Sequence, residues 1–321
     1  MINLHRNMRP LILVTGVSGF VGKRLYSTLI SLGYPVRAVI RTSEPNLNKD
    51  YSDFFIVNEI GKNTDWEMAM NGVETIIHLA ARVHVMNEVS SDPYYEFHKI
   101  NVEGTIALAK KAAYAGVKRF IFLSSVKVNG ESTSDARPFN EIVEPRPQDW
   151  YAKSKNEAEI ELRKLAEICG MEVVIIRSPL VYGREAKGNM SLLMSFIRYR
   201  IPLPLASIDN KRSLIGLDNL VDFIITCINH PKAANQTFLV SDDQDVSTTN
   251  LIKMIASSIG IRPILFPLPI RVLFILAVIL KKNDFFDRLT GSLQIDMSKA
   301  KKLLNWKPPF SLSQSILKVI K

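Results

Sequence analysis

The feature that most constrains this fold is the regular alternation of short apolar runs with longer amphipathic stretches in the first half of the chain. The apolar runs predict buried strands at 11–15, 36–40, 54–57, 75–79, 120–124 and 173–177. Helical stretches are predicted between them, at 21–32, 66–70, 94–115 and 151–168. Because parallel neighbours need a crossover helix, the alternation predicts an α/β fold built on a doubly wound parallel sheet.

A glycine-rich turn follows the first predicted strand, where residues 15–22 read Thr-Gly-Val-Ser-Gly-Phe-Val-Gly. The glycines permit a tight turn, close approach of the backbone to a pyrophosphate, and close packing of the next helix, whose N-terminus offers N–H groups. The spacing is GxxGxxG rather than GxGxxG. We predict a Rossmann-type dinucleotide site here, with contacts from Gly16, Ser18, Gly19, Phe20, Val21 and Gly22.

The end of the second strand distinguishes NAD from NADP, because an acid there accepts the ribose 2′-OH whereas arginine suits a 2′-phosphate. The strand ends at Arg41, and no acidic residue follows before Glu44. The sequence therefore favours NADP(H) over NAD(H) as the cofactor. The alternative is an exposed Arg41 that only stacks on adenine.

Tyr151 and Lys155 form a YxxxK pair on one face of a predicted helix. A nearby ammonium and a cationic nicotinamide would lower the tyrosine pKa from its ordinary value near 10. We therefore predict that Tyr151 exchanges a proton with a carbonyl or alcohol oxygen, while Lys155 tunes it and holds the cofactor ribose. Ser125 follows the fifth strand and is predicted to hydrogen-bond the same oxygen.

Together these motifs resemble the extended short-chain dehydrogenase/reductase family of NAD-dependent epimerase/dehydratase type, over essentially the full chain. Residues 78–81, 101–104, 177–183 and 304–308 also match that family. The resemblance implies that Ser125, Tyr151 and Lys155 are catalytic, and that Glu59 stands where an aspartate is usual. It also implies cofactor contacts from Glu59, Ile60, Leu79, Ala80, Ala81, Asn101 and Pro179.

Prolines become frequent after residue 178, and the predicted elements become shorter. We expect an NAD(P)-binding Rossmann domain over 1–178 and a smaller substrate-binding part over 179–321, with segments of the two interleaved. In the second part, Ser311 and Gln314 have the spacing of a capping box, which predicts a last helix that ends at Ile320.

The substrate side of the chain resembles enzymes that act on UDP-linked sugars. Asn189 and Arg212 match positions that hold the diphosphate in UDP-hexose epimerases, and Arg288 is a looser match for a second arginine. Arginine suits this task because its planar fork supplies paired donors. Ser125 and Lys127 are the expected sugar contacts, although Lys127 is equally well interpreted as a loop residue.

The family's dehydratases carry an Asp-Glu pair shortly after the catalytic serine, and no such pair follows Ser125, so 4,6-dehydration is not expected. Two reactions remain. The first is NAD(P)H-dependent reduction of a UDP-4-keto-(2-acetamido-2,6-dideoxy)hexose at C4, in bacterial polysaccharide biosynthesis. The second is 4-epimerisation of a UDP-hexose with tightly bound NAD. Arg41 favours the reductase, and residues 124–131 resemble the UDP-N-acetylquinovosamine dehydrogenases. A non-catalytic NADP(H) sensor or scaffold is a third interpretation, which the presence of serine, tyrosine and lysine disfavours.

Composition and charge exclude other classes of protein. The net charge of +10 is scattered rather than gathered in a basic block, so we expect no nucleic-acid partner. Cys169 and Cys227 match neither a metal site nor a disulfide framework, so we expect no metal and a cytoplasmic location.

Two features of the sequence concern partners. The apolar segment 272–280 is too short to span a bilayer, and a buried or interface helix is favoured over a peripheral position at a membrane. The family resemblance implies a homodimer formed through the helices at 94–115 and 151–168. Val102, Ile106 and Ala109 form an apolar stripe that suits this contact, or that faces the sheet.

Overall fold

The structure is a computed structural model that describes residues 9–42, 50–83, 92–133, 137–186, 189–281 and 283–320. Its strands are β1 Leu11–Thr15, β2 Val36–Arg41, β3 Phe54–Val57, β4 Val73–His78, β5 Arg119–Ser125, β6 Glu172–Ser178, β7 Leu180–Tyr182, β8 Arg212–Gly216, β9 Thr237–Leu239 and β10 Asp245–Val246. Its α-helices are α1 Phe20–Ser31, α2 Pro93–His98, α3 Thr105–Tyr114, α4 Trp150–Cys169, α5 Asn189–Arg198, α6 Leu217–Asn229, α7 Thr248–Ser258, α8 Ile270–Ile279, α9 Asn283–Thr290, α10 Ser298–Leu304 and α11 Leu312–Ile320.

The chain divides into two compact units, each made of several segments. The first unit comprises Met1–Val128, Pro145–Arg177 and Phe223–Phe238. The second unit comprises Asn129–Glu144, Ser178–Asp222 and Leu239–Lys321.

The central sheet has seven strands in the order β3-β2-β1-β4-β5-β6-β9. Strand β1 pairs in parallel with β2 on one side and with β4 on the other, so the chain reverses its direction of progress beside β1. Ile12, Leu13 and Val14 are fully buried, as expected for a strand covered on both faces. The predicted doubly wound α/β fold is confirmed, and the point of reversal beside β1 is where such sheets bind ligands.

Two predicted helices differ from the structure. Residues 66–70 form only a short 3₁₀ turn over Met68–Met70. The helix expected at 94–115 is divided into α2 and α3 by a π-helical stretch over Lys99–Gly104. Val102 and Ala109 are buried, and Ile106 packs against the core of the first unit. This apolar stripe therefore faces the core of its own unit, which is the second of the two interpretations.

The second unit has its own sheet and core. Strand β8 lies between β7, to which it is parallel, and β10, to which it is antiparallel. Helices α7 and α11 pack over this sheet through residues such as Ile252 and Ile316. The predicted capping box is confirmed at α11: the Ser311 amide donates to Gln314 Oε1 at 2.8 Å, and the Gln314 amide donates to Ser311 Oγ at 3.3 Å.

Helix α8 contains most of the apolar segment noted in the sequence. The buried-helix interpretation of this segment is wrong, because Ala277 is the one buried residue of α8. Eight other positions from Ile270 to Leu280 carry large apolar side chains that are exposed in the second unit. No helix among the described residues is both long enough and apolar enough to cross a membrane.

Candidate active site

The glycine-rich turn joins β1 to α1 in a conformation that needs glycine. Gly16 has φ of +70°, and a Cβ there would lie 2.7 Å from the Ala80 amide nitrogen. A Cβ on Gly22 would collide with the Gly16 carbonyl oxygen. Gly19 caps α1 without a side-chain hydrogen bond, and the first turn of α1 carries no acidic residue. The amides at this helix start therefore suit an anion, and the turn fits a dinucleotide pyrophosphate.

The remaining residues predicted at this turn lie where the sequence placed them. Ser18 is half-buried in the turn itself, and Phe20 and Val21 are the first residues of α1. Their backbone amides belong to the first turn of the helix, where N–H groups lack intrahelical partners.

A buried hydrogen-bond chain fixes the segment that follows β4 beside the glycine turn. Thr15 Oγ1 lies 2.7 Å from His78 Nδ1, and His78 Nε2 lies 2.9 Å from Thr105 Oγ1. Burial lowers the pKa of His78 to about 3, so the imidazole is neutral. The Ala80 amide donates to Thr15 Oγ1, and the Leu79 amide donates to the Thr15 carbonyl. These bonds position Leu79, Ala80 and Ala81, which were predicted to line the cofactor site.

Arg41 is the last residue of β2 and is exposed. Arg37, on the same strand, instead donates from Nε to Asp53 at 3.1 Å and from Nη1 to two backbone carbonyls. Arg41 is therefore the arginine at the strand end that distinguishes NAD from NADP. Glu44 lies outside the described residues.

Glu59 and Ile60 follow β3, and only the second is buried. Glu59 is exposed and accepts a hydrogen bond from Lys99 Nζ at 3.1 Å. The backbone of Ile60 lies close to Gly104: a Cβ added to Gly104 would lie 3.0 Å from the Ile60 carbonyl oxygen. The two residues therefore sit against the π-helical stretch.

Asn101, in that stretch, connects two parts of the first unit. Its side chain is buried; Oδ1 accepts from the Arg82 amide at 2.8 Å, and Nδ2 donates to Ser154 Oγ at 2.9 Å. The segment after β4 is thereby tied to α4 one residue before Lys155. Asn101 therefore joins the segment after β4 to α4, and a cofactor contact from Asn101 stays a prediction.

Helix α4 is fastened to the end of β5 at several points around the predicted catalytic residues. Lys155 Nζ donates to the Leu123 carbonyl at 2.9 Å. Asp149, the N-cap of α4, accepts from the Ala152 amide through one oxygen and pairs with Lys127 Nζ at 2.6 Å through the other. Ser125 ends β5, and Tyr151 is the second residue of α4, so both lie within this fastened region.

The structure thus gives Lys127 a partner that the sequence did not suggest. It lies just after Ser125, and its backbone amide donates to Ser125 Oγ at 3.3 Å. Its ammonium neutralises the Asp149 carboxylate at the start of the catalytic helix. A sugar contact from Lys127 stays a prediction.

Burial shifts the pKa values of Tyr151 and Lys155 in opposite directions. It lowers the pKa of Lys155 to about 7, with the carboxylate of Glu159 acting the other way. Burial raises the pKa of Tyr151 well above its ordinary value, and the negative charge of Asp149 adds to this rise. In the protein without a cofactor, desolvation therefore affects the pKa of Tyr151 more than the nearby Lys155 ammonium, which the sequence was expected to make dominant.

Sequence reasoning missed a buried ion pair one turn beyond Lys155. Glu159 has no exposed surface; it accepts from Ser124 Oγ at 2.6 Å and from Arg177 Nη2 at 2.6 Å. Arg163 Nη2 also donates to Glu159, at 2.8 Å. This network joins α4 to β5 and β6. Its signal in the sequence was a glutamate four residues after Lys155 on the same helix face.

The predicted phosphate-binding residues lie in the second unit. Arg212 begins β8 and donates to the Gly291 carbonyl at 2.9 Å. Burial lowers the pKa of Arg212, the carboxylate of Glu131 opposes this shift, and the positive charge of Arg288 on α9 adds to it. Asn189 begins α5, but its side chain lies outside the described residues.

Pro179, a predicted cofactor contact, is the single residue between β6 and β7 in the chain and is buried.

We predict that Glu159→Ala destabilises the protein by about 3–5 kcal/mol, because it removes the carboxylate that neutralises the buried Arg177. The control is Glu161→Ala on the same helix, where an exposed pair with Lys164 is lost and the cost stays under about 1 kcal/mol. Urea unfolding of the three proteins measures both effects. Equal losses in the two variants would contradict the role given to Glu159.

We also predict that Lys155 makes stability depend on pH. Its native pKa of about 7 lies below its ordinary value of 10.5, so between these values the unfolded chain binds more protons. The free energy of unfolding therefore rises with pH in this window, by about 1 kcal/mol per pH unit, and this contribution is lost as pH falls through 7. Lys155→Met should remove it when urea unfolding is measured from about pH 7 to pH 8.5. Parallel pH profiles for variant and wild type would refute the shifted pKa.

Comparison with known proteins agrees with this geometry. The NAD dependent epimerase/dehydratase family matches residues 12–241. A UDP-glucose 4-epimerase of Vibrio cholerae is 44% identical over 96% of this chain and 94% of its own length. An N-acetyl-alpha-D-glucosaminyl-diphospho-ditrans,octacis-undecaprenol 4-epimerase of Escherichia coli O157:H7 is 28% identical over 79% of this chain and 73% of its own.

Among solved structures, the UDP-N-acetylglucosamine 4-epimerase of Bacillus cereus has the same fold, with a TM-score of 0.78 and 18% identity. That likeness covers 97% of this chain and 98% of the other. The non-catalytic scaffold interpretation is not supported, because the family assignment and the catalytic residues agree. The chain belongs to the NAD dependent epimerase/dehydratase family, and it is an NAD(P)-dependent enzyme of the short-chain dehydrogenase/reductase type.

Proposed function

We propose that this protein is a UDP-hexose 4-epimerase that retains NAD through its catalytic cycle. The observation that carries the proposal is 44% identity to a UDP-glucose 4-epimerase along nearly the whole chain, in a protein that has Ser125, Tyr151 and Lys155. The sequence alone favoured the reductase, so the comparison moves the preference to what was the alternative.

The reaction is the best-supported part of this proposal. The two curated relatives described above are both named as 4-epimerases, although the carriers of their sugars differ. Inversion at C4 is therefore what they share, and the identity of the hexose stays open. Reduction of a UDP-4-keto-hexose is the second candidate, and the observation that favours it is Arg41 at the end of β2, which suits NADP(H).

The residues of the first unit have defined roles in this proposal. The glycine turn from Gly16 to Gly22 binds the pyrophosphate, and the segment 79–81 lines the nicotinamide side. Glu59 and Ile60 lie on the adenine side, where Arg41 stacks on the base. The chemistry that a bound nicotinamide supplies is reversible storage of one hydride from C4, so no external oxidant or reductant is consumed.

Proton transfer at the C4 oxygen is assigned to Tyr151. As the phenolate it takes the hydroxyl proton when C4 is oxidised, and it returns that proton when the ketone is reduced on its other face. Because burial raises the pKa of Tyr151, the phenolate needs a cationic neighbour, and Lys155 lies one helical turn away to supply it. Ser125 donates a hydrogen bond to the same oxygen as its charge changes.

The second unit is assigned the diphosphate of the substrate. The positive charge of Arg288 acts on Arg212, and two guanidinium groups offer the paired donors that a diphosphate needs. Asn189 at the start of α5 is a further proposed contact. A homodimer also stays part of the proposal, resting on the family resemblance.

The cofactor of the freshly purified protein tests this function. The protein is denatured, the released dinucleotide is identified, and the emptied protein is titrated with NADH and NADPH. We expect NAD at close to one per chain and slow exchange. An empty site that exchanges NADPH freely, and prefers it to NADH, would overturn the epimerase in favour of the reductase.

We predict that Tyr151→Phe retains bound dinucleotide but lowers turnover by about 10³-fold, because the proton acceptor is lost while the ring stays in place. Tyr114→Phe is the matched control, since Tyr114 is 93% exposed. Turnover and dinucleotide content are measured on the same preparations. A Tyr151→Phe enzyme with nearly normal turnover would rule out the assigned role.

We predict that Arg212→Ala and Arg288→Ala each weaken the binding of UDP by about tenfold to a hundredfold, because charge-assisted hydrogen bonds to phosphate are lost. Dinucleotide content should not change. Arg198→Ala, at an exposed arginine of α5, is the control. Titration calorimetry with UDP measures the effect, and unchanged affinity in both variants would remove these arginines from the substrate site.

A further inference from the structure

Helix α8 differs from the other apolar helices of this chain in how little of it is covered. Leu273 and Ala277 face the core of the second unit, and Phe274 makes an edge contact with Phe286 at 5.5 Å. In α6, which is also apolar, residues such as Phe223 and Ile224 are fully buried. The exposure of α8 is therefore not a general property of apolar helices in this fold.

The exposed side chains of α8 are large and contiguous. They are between 40% and 69% exposed and lie within about 15 Å along one helix and its C-terminal residue. We call this set the α8 surface, and its members are Ile270, Val272, Phe274, Ile275, Leu276, Val278, Ile279 and Leu280. A patch of this kind on a folded unit marks a surface that meets a partner.

The charges around the α8 surface identify the kind of partner. Residues 246–283 contain five basic residues and no acidic residue. Arg271 lies within α8, and Lys281 follows it; both are exposed. The next acidic residues are Asp284 and Asp287, on α9. A second copy that docked on the same surface would bring like charges together, whereas an anionic surface would complement them.

We propose that the α8 surface docks this protein on an anionic lipid bilayer. The helix has ten residues, about half the length needed to span a membrane, so it lies in the plane of the interface. Its apolar side chains enter the boundary between headgroups and acyl chains. Arg271 and Lys281 lie at the headgroup level, where each basic residue strengthens binding to anionic lipid about fivefold. This proposal does not depend on the reaction at C4.

The test is co-flotation of the purified full-length protein with vesicles of phosphatidylcholine, with and without about 30% phosphatidylglycerol. We expect binding to the anionic vesicles that weakens in about 0.5 M salt, because ions screen the basic residues. The double variant Ile275→Glu/Ile279→Glu should lose at least about tenfold in vesicle affinity. Arg271→Gln should lose about fivefold.

The matched control is Ile142→Glu/Ile168→Glu, which makes the same charge change at two exposed isoleucines elsewhere in the chain. It should bind anionic vesicles within about threefold of the wild type, since neither isoleucine belongs to the α8 surface and the two added acids change only the overall charge. Thermal unfolding and bound dinucleotide, measured on every variant, show that each is folded.

Three results would overturn the proposal. The first is no binding of the wild type to anionic vesicles, or equally tight binding to neutral ones. The second is equal affinity in the α8 double variant and its control. The third is a lipid-free dimer, seen by sedimentation, that the α8 double variant alone dissociates, because the α8 surface would then be covered by a second copy of this chain.

Discussion

The buried ion pair between Glu159 and Arg177 is the interaction on which the catalytic geometry depends. Two charges with almost no exposure are costly unless each is neutralised and hydrogen-bonded. Glu159 meets that requirement with donors from Ser124 and Arg163 as well. A buried pair of this kind adds little net stability, but losing either partner is costly, and the pair ties α4 to β5 and β6. The YxxxK residues lie on the helix that it holds in place.

The same packing explains the proton affinities at the site. The Lys155 ammonium rests over the Phe122 ring at 4.3 Å and donates to a backbone carbonyl, with no exposed route to bulk water. Burial therefore brings its pKa close to neutrality, while it makes the Tyr151 phenolate harder to form. A site built in this way responds strongly to added charge, because the surrounding dielectric is low. In the proposed mechanism, a bound cationic nicotinamide would therefore act strongly on the pKa of Tyr151.

The strands and the placement of Tyr151 and Lys155 on one helix could be predicted from the sequence because each has a local signal. Apolar runs of strand length marked the sheet, and a four-residue spacing placed Tyr151 and Lys155 on one face. The π-helical stretch at Lys99–Gly104 had no such signal, since Asn101 is turned inward by partners 19 and 53 residues away. The Glu159 network had one local signal, the spacing of Glu159 from Lys155, but its partners Ser124 and Arg177 are brought to it by the sheet rather than by spacing. Periodicity also misjudged α8, since an entirely apolar helix gives no indication of which face is covered.

In the proposed epimerase, one hydride leaves C4 and returns to it within the same protein molecule. The most direct test is to incubate the purified enzyme, without added dinucleotide, with a UDP-hexose that carries deuterium at C4 of the sugar. Nuclear magnetic resonance then follows both the configuration and the isotope at C4. We predict formation of the C4 epimer with the deuterium retained at C4. No epimer without added dinucleotide, or formation of the epimer with loss of the deuterium from C4, would contradict this proposal.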